Sequence, residues 1–127
     1  MLCEAIVEFI AKNYSGKVVE IGIGRYHCVA KRLAEIGFEV VATDLKELDV
    51  PKGVKFYVDD VTNPDLNIYR GARLVYSLRP PPELHDSILL VAKKVGADCM
   101  IRPFGNEFVN YGKLVNYKGE RFYVWRV

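Results

Sequence analysis

The chain has 127 residues, of which 50% are hydrophobic and 27% are charged, a composition typical of one globular domain. No apolar run reaches the roughly 18 to 20 residues of a membrane span. The N-terminus lacks the pattern of a signal peptide, so we expect a cytoplasmic protein with no membrane partner. The net charge is +2, but it is unevenly distributed: residues 1–65 hold eleven acidic and eight basic residues, and residues 66–127 hold five and ten. The second half therefore favours an anionic partner.

The cysteines and histidines are too scattered to predict a metal site. Cys3, Cys28 and Cys99 form no CxxC pair, and neither His27 nor His85 has a second ligand at metal-binding spacing. We therefore expect reduced, partly buried thiols, surface or capping histidines, and no metal.

The apolar spacing predicts helices that alternate with strands. Helices are predicted over residues 2–14, 25–36 and 83–95, and strands over 17–21, 38–43, 54–58, 72–77, 97–101, 113–117 and 120–127. Such alternation indicates a parallel sheet with right-handed crossovers. The last two strands read as an antiparallel hairpin. Because both faces of the final strand are apolar, we expect it inside the sheet.

We expect a single domain in three parts. Residues 1–16 form an N-terminal helix on the sheet edge, residues 17–102 a core that can bind a cofactor, and residues 103–127 a loop and the hairpin. Residues 102–112 leave no room for a crossover helix, so one face of the sheet should be thinly covered. That expectation makes a homodimer one of the open partner alternatives.

The stretch 18–25 (VVEIGIGR) is typical of a turn that cradles a nucleotide cofactor. An apolar strand carries Glu20 near its end, turns on Gly22 and Gly24, and leads into a helix. Asp44 follows the second glycine by twenty residues and ends the next strand, where an acid can accept hydrogen bonds from ribose hydroxyls.

Two cofactors fit such a turn, NAD and S-adenosylmethionine. His27 stands where the dinucleotide fingerprint needs a third glycine. Acids also follow three neighbouring strands, at Glu20, at Asp44 and at Asp59 or Asp60. Such a group repels a pyrophosphate and suits a sulfonium and an ammonium. S-adenosylmethionine is therefore favoured.

The segments VVEIGIG, VVATDL, FYVDDVTNP and ARLVYSLRPPPEL resemble, in order and spacing, the motifs of Rossmann-like class I S-adenosylmethionine-dependent methyltransferases. The resemblance covers about residues 17–102, and the chain is most similar to small uncharacterised archaeal proteins with a minimal version of this fold. It implies a three-layer Rossmann-like α/β domain with parallel strands in the order 3-2-1-4-5 and an antiparallel hairpin at the far edge.

The resemblance also implies roles for individual residues. Glu20 would serve the methionine end, Gly22 and Gly24 would allow close backbone approach, Asp44 would bind the ribose, Asp60 and Val61 the adenine edge, and Ser77 to Arg79 would line the floor near the methyl group. Tyr26 departs from the family, which has a third glycine there. It would narrow the methionine pocket or cover the ligand.

Arg79 and Arg102 each follow a parallel strand and should lie at the carboxyl edge of the sheet. Together they could bind a carboxylate or phosphate of an acceptor; alternatively, they pair with Asp60 or Glu83. The stretch SLRPPPEL lacks the N/D-P-P-Y/F motif of amino-methylating enzymes, so no catalytic residue is identified.

Two functions remain open from the sequence. The first is a minimal methyltransferase with an unknown acceptor. The second is a non-catalytic binding or interaction module that works through a protein partner or an oligomer. No interleaved basic and aromatic motif of an RNA-binding module is visible, so nucleic acid is not indicated as a partner, although it stays open.

Overall fold

The computed structural model describes residues 2–109 and 112–127; residues 1 and 110–111, the latter within the predicted loop, lie outside the described residues. The strands are β1 Lys17–Ile21, β2 Glu39–Asp44, β3 Val54–Val58, β4 Leu74–Leu78, β5 Asp98–Arg102, β6 Lys113–Tyr117 and β7 Glu120–Trp125. The helices are α1 Leu2–Asn13, α2 Cys28–Glu35, α3 Leu66–Tyr69 and α4 His85–Val95, the last preceded by a 3₁₀ turn at Pro82–Leu84. The short α3 was not predicted, because four residues carry no periodicity.

The seven strands form one mixed sheet in the order β3-β2-β1-β4-β5-β7-β6. Strands β1 to β5 are parallel, and β7 pairs antiparallel with both β5 and β6. The predicted Rossmann-like order and the terminal hairpin are therefore confirmed. The last strand lies between β5 and β6, as its two apolar faces require: Phe122 and Val124 are fully buried on one face, and Tyr123 and Trp125 pack on the other.

Two apolar cores lie on opposite sides of the sheet. Alternation along β1 sends Val18 to one core and Val19 to the other. The first core lies under α1 and α2, and the second lies under α3 and α4. This arrangement gives the three layers that the sequence predicts. No helix of the described residues is long and apolar enough to cross a membrane.

Helix α1 lies beside α2, over the face of the sheet at its hairpin end. Its ring of Phe9 meets the rings of Phe122 and Tyr117 edge to face, with centroid distances of 4.9 and 5.7 Å. On the opposite side of the sheet, α4 packs on β4 and β5. In the described residues no helix follows β5 before the hairpin, so the α4 side of β7 and β6 is left without one.

The expectation of three reduced thiols is wrong for two of them. Cys3 at the start of α1 and Cys28 at the start of α2 form a disulfide, with Cα atoms 6.0 Å apart. The two residues are 25 positions apart in sequence, and only the side-by-side packing of the two helices brings them together. Cys99 is free and buried, as expected.

Candidate functional site

A cleft lies at the carboxyl ends of β1, β2 and β3, the edge at which open α/β sheets bind ligands. Its volume is about 290 Å³, near the lower end for small-molecule sites. It is lined by Ile21, Gly22, Thr43, Asp44, Leu45, Asp59, Asp60, Val61, Pro81 and Leu84. These residues include three aspartates and no lysine or arginine. The cleft therefore combines an apolar wall with an acidic rim.

The glycine turn is bonded to the end of β2. The amides of Gly22 and Ile23 both donate to the carbonyl oxygen of Thr43, at 2.9 and 3.1 Å. Gly22 and Gly24 have φ values of +71° and +54°, a backbone that favours glycine. A Cβ built at Gly22 would meet no atom within 4 Å, so the backbone there is open to an approaching ligand.

Asp44 holds the same turn through its side chain. Its Oδ2 accepts a hydrogen bond from the Gly24 amide at 2.8 Å, and its Oδ1 accepts one from the Leu45 amide at 2.7 Å. On the other side of the turn, Nε2 of His27 lies 2.7 Å from the Gly24 carbonyl oxygen and must donate to it, because a carbonyl only accepts. The His27 side chain therefore stabilises the turn; although His27 is the N-cap residue of α2, its side chain forms no capping hydrogen bond.

Asp59 and Asp60 both line the cleft, whereas strand alternation predicts that only one of them enters it. The reason is that β3 ends at Val58, so alternation no longer applies. Asp60 accepts hydrogen bonds from the hydroxyl and the amide of Thr62, at 2.7 and 2.9 Å, and these bonds lower the pKa of Asp60. Asp59 instead accepts the Tyr69 hydroxyl at 2.7 Å, which ties it to α3.

Glu20 and Ser77 are buried within the sheet and are not among the residues that line the cleft. Glu20 is 1% exposed, and the Tyr76 hydroxyl donates to its Oε1 at 2.9 Å. Burial raises the pKa of Glu20 to about 8, against the lowering effect of that hydrogen bond. Ser77 is equally buried and donates to the carbonyl oxygen of Ile21 at 2.8 Å. Both residues therefore support the strand that carries the glycine turn.

Three apolar cleft residues were missed by sequence reasoning: Leu45, Pro81 and Leu84. Leu45 is 66% exposed and follows Asp44 directly, so it stands at the cleft rim next to that carboxylate. The sequence signal that could have identified Leu45 is its apolar side chain directly after the acid that ends a strand. Pro81 belongs to the proline run at residues 80–82, and Leu84 ends the 3₁₀ turn that follows it; the sequence assigned neither residue a binding role.

The two arginines at the carboxyl edge have different surroundings. Arg102 is half-buried; its Nη2 bonds Glu120 Oε1 at 3.1 Å, and its Nη1 donates to the Pro103 carbonyl oxygen at 2.8 Å. Arg79 is exposed, and its side chain forms no hydrogen bond or ion pair with the described residues. Its backbone amide donates to the Arg102 carbonyl oxygen, with a φ of +57° that is uncommon outside glycine. Neither arginine pairs with Asp60 or Glu83.

Tyr26 and His85 have surroundings that differ from those expected from the sequence. Tyr26 is 43% exposed and is not among the cleft-lining residues. His85, expected at the surface or as a cap, is buried at the start of α4, and its Nε2 has no hydrogen-bond partner among the described residues. No group of three metal-ligating side chains occurs within residues 2–109 and 112–127.

Solved structures share this fold over almost the whole chain. The hypothetical protein TTHA0928 of Thermus thermophilus matches with a TM-score of 0.72 and 13% identity, covering 99% of this chain and 85% of that one. The magnesium protoporphyrin IX methyltransferase of Synechocystis, whose structure holds bound S-adenosylmethionine, matches with a TM-score of 0.64 and 13% identity, covering 97% and 76%. The chain therefore has a methyltransferase-like Rossmann fold.

Other proteins share much more of their sequence with this chain than these solved structures do. A UPF0146 protein of Archaeoglobus fulgidus is 57% identical over 121 residues, which is 95% of this chain and 92% of its own length. The model of the Uncharacterised protein family (UPF0146) matches residues 2–127. The chain therefore belongs to this family, with the fold of class I S-adenosylmethionine-dependent methyltransferases.

Proposed function

We propose that the cleft binds S-adenosylmethionine and that the protein is a minimal methyltransferase. The observation that carries the proposal is the acidic rim beside the glycine turn: Asp44, Asp59 and Asp60 line the cleft, and no basic residue does. An acidic cleft attracts a ligand with a sulfonium and an ammonium group, and it repels the pyrophosphate of NAD.

The nucleoside part of the ligand matches the cleft lining. A carboxylate has about four lone-pair sites, and the amides of Gly24 and Leu45 occupy two of those on Asp44. Asp44 can therefore still accept both ribose hydroxyls while it holds the turn. Leu45 and Val61 supply apolar surface for the adenine, and Asp60 can accept a hydrogen bond from the exocyclic amine of the base.

The methionine part would lie over the glycine turn. The open space above Gly22 allows the ligand close to the backbone, and Glu20 is the next-to-last residue of β1, just before the turn. Because Glu20 is buried, it would support the strand before the turn and, when its carboxyl group ionises, provide negative charge that favours a cationic ligand.

Bound S-adenosylmethionine would supply an activated methyl group, so the protein needs mainly to position the acceptor. Arg79 is the candidate for that task. Its guanidinium is exposed at the carboxyl edge, with no partner in the described residues, and it can bind a carboxylate or phosphate of the acceptor. Arg102 stays a prediction as a second acceptor contact, since it would first have to leave Glu120.

Parallel calorimetric titrations with S-adenosylmethionine, S-adenosylhomocysteine and NAD test the cofactor assignment. We expect micromolar binding of the first two and none of NAD, with S-adenosylmethionine the tighter ligand because only it carries the sulfonium. Asp60→Asn should weaken both interactions, and Asp49→Asn, an exposed aspartate outside the cleft, is the matched control. Binding of NAD alone would refute the proposal.

A radiolabelled methyl donor tests catalysis. Purified protein is incubated with the donor and with small-molecule, RNA and protein fractions of an archaeal extract. Label transferred by the wild type and lost in Arg79→Ala supports a methyltransferase with an anionic acceptor.

One observation favours the second function, a binding module without methyl transfer. The three aspartates are the ionisable side chains that line the cleft; Asp44 and Asp60 are assigned to the cofactor and Asp59 accepts the Tyr69 hydroxyl, so none is set aside as a general base. Tight binding of S-adenosylmethionine with no label transferred to any fraction would favour the module over the enzyme.

A further inference from the structure

The outer face of α4 carries an apolar strip between two opposite charges. Asp86, Leu89, Leu90 and Lys93 recur at the spacing of one helical face, and together with Trp125 of β7 they line a groove of about 370 Å³. We call these five residues the α4 face. Leu90 is 51% exposed, although the inner side of the same helix is buried in the second core. Leu90 adjoins Leu89 and Trp125 in one apolar surface framed by charged residues, the kind of patch that marks protein–protein contacts.

The charges on this face are self-complementary. Asp86 and Lys93 are seven residues apart, about two turns or 10 Å along the helix, with Leu89 and Leu90 midway between them. Neither side chain forms an ion pair within the described part of the chain. The helix dipole accounts for an acid near the start and a base near the end, but not for the exposed leucine between them.

We propose that the α4 face binds the α4 face of a second copy, with the two helices antiparallel about a two-fold axis. In that arrangement the axis passes between Leu89 and Leu90, and Asp86 of each copy meets the partner subunit's Lys93. A two-fold contact uses the same patch twice, so the patch must complement itself, and the symmetric placement of opposite charges on this helix meets that condition. The inference is independent of what the cleft binds.

The neighbouring surface extends the contact. A stable interface buries about 800 Å² on each partner, more than one short helix face provides. Trp125 and Tyr123 lie on the same side of β7 as α4, and the ring of Phe108, 71% exposed, packs edge to face on Tyr123 at 5.8 Å. This apolar surface lies on the side of the sheet where the described residues place no helix over β7 and β6. A second copy would cover it.

Light scattering after size-exclusion chromatography, over a wide range of concentrations, tests the proposal with charge-swap variants. The wild type should form a dimer. Asp86→Lys and Lys93→Asp should each weaken the dimer by about tenfold or more, because each places like charges at both symmetric contacts. The double variant Asp86→Lys with Lys93→Asp should restore the dimer, because the acid and the base exchange positions and opposite charges again meet at both contacts.

Controls separate the interface from loss of folding. Leu90→Arg should abolish the dimer, whereas Lys31→Asp, an exposed lysine of α2 on the opposite side of the sheet, should leave it unchanged. Circular dichroism should show all variants folded. A wild type that stays monomeric, a double variant that does not recover, or a dimer that persists in Leu90→Arg would each overturn the proposal.

Discussion

The backbone amide of Gly24 donates a hydrogen bond of 2.8 Å to Oδ2 of Asp44, across twenty residues of sequence. The residue expected to bind the ribose is thus also the residue that shapes the glycine turn. Stability of the turn and affinity for the cofactor should therefore depend on the same side chain.

Asp44→Asn should lower both properties together. The amides of Gly24 and Leu45 bond different oxygens of Asp44, and Asn replaces one of these oxygens with an NH2 donor, so one amide loses its acceptor at a cost of about 1 kcal/mol of unfolding free energy. Affinity for S-adenosylmethionine should fall by about tenfold or more. Urea unfolding and calorimetry measure the two effects. Unchanged affinity in a destabilised variant would separate the two roles and contradict the ribose assignment.

Glu20 should make the protein less stable as the pH rises. Its pKa is raised by burial to about 8, from an ordinary value of 4.5, so the folded state holds a proton that the unfolded state releases. Protonated Glu20 stabilises the fold fully below pH 4.5. This stabilisation, on the order of a few kcal/mol of unfolding free energy, is lost as the pH rises toward about 8. Glu20→Gln cannot ionise and should lack this contribution.

The measurement is urea unfolding of the wild type and of Glu20→Gln across that range of pH. The variant should gain stability relative to the wild type as the pH rises, while the exposed Glu39→Gln should follow the wild type. A constant difference between Glu20→Gln and the wild type would show that Glu20 is ionised throughout.

Reduction of the disulfide should destabilise the fold. Cys3 and Cys28 close a loop with a sequence separation of 25, for which loop entropy predicts about 3 kcal/mol, or roughly 10 °C in melting temperature. Calorimetry of Cys3→Ser, compared with the wild type with and without a reductant, measures the effect. The reductant should lower the melting temperature of the wild type and leave that of the variant unchanged. Equal melting temperatures throughout would mean that the bond is not formed in solution.

Arg79→Gly should stabilise the protein by about 1 kcal/mol. The φ of +57° at Arg79 costs a residue with a Cβ about that amount and costs glycine little. Arg79→Ala keeps the Cβ and should show no such gain, so the difference between the two variants isolates the backbone term. Equal stabilities, measured by urea unfolding, would show that the left-handed conformation is absent.

The sequence predicted most of the fold because the relevant signals are local. Apolar spacing located β1, β3 and β6 with their observed bounds, and the other strands within a few residues. Two apolar faces on the last strand placed it inside the sheet, and an acid at the end of β2 located Asp44 at the cleft. These features depend on residues close together in the chain, where periodicity and turn chemistry act.

Tertiary structure alone decided what these residues contact. Only folding brings Gly24 to Asp44, Cys3 to Cys28 and Tyr76 to Glu20, because the partners are distant in sequence and no local pattern encodes their separation. The charge of a carboxyl group likewise depends on its burial, so Glu20 could be identified as an acid from the sequence but its raised pKa could not. The sequence determined which residues reach the carboxyl edge of the sheet. Packing decided which of them line the cleft and which are buried within the sheet beside it.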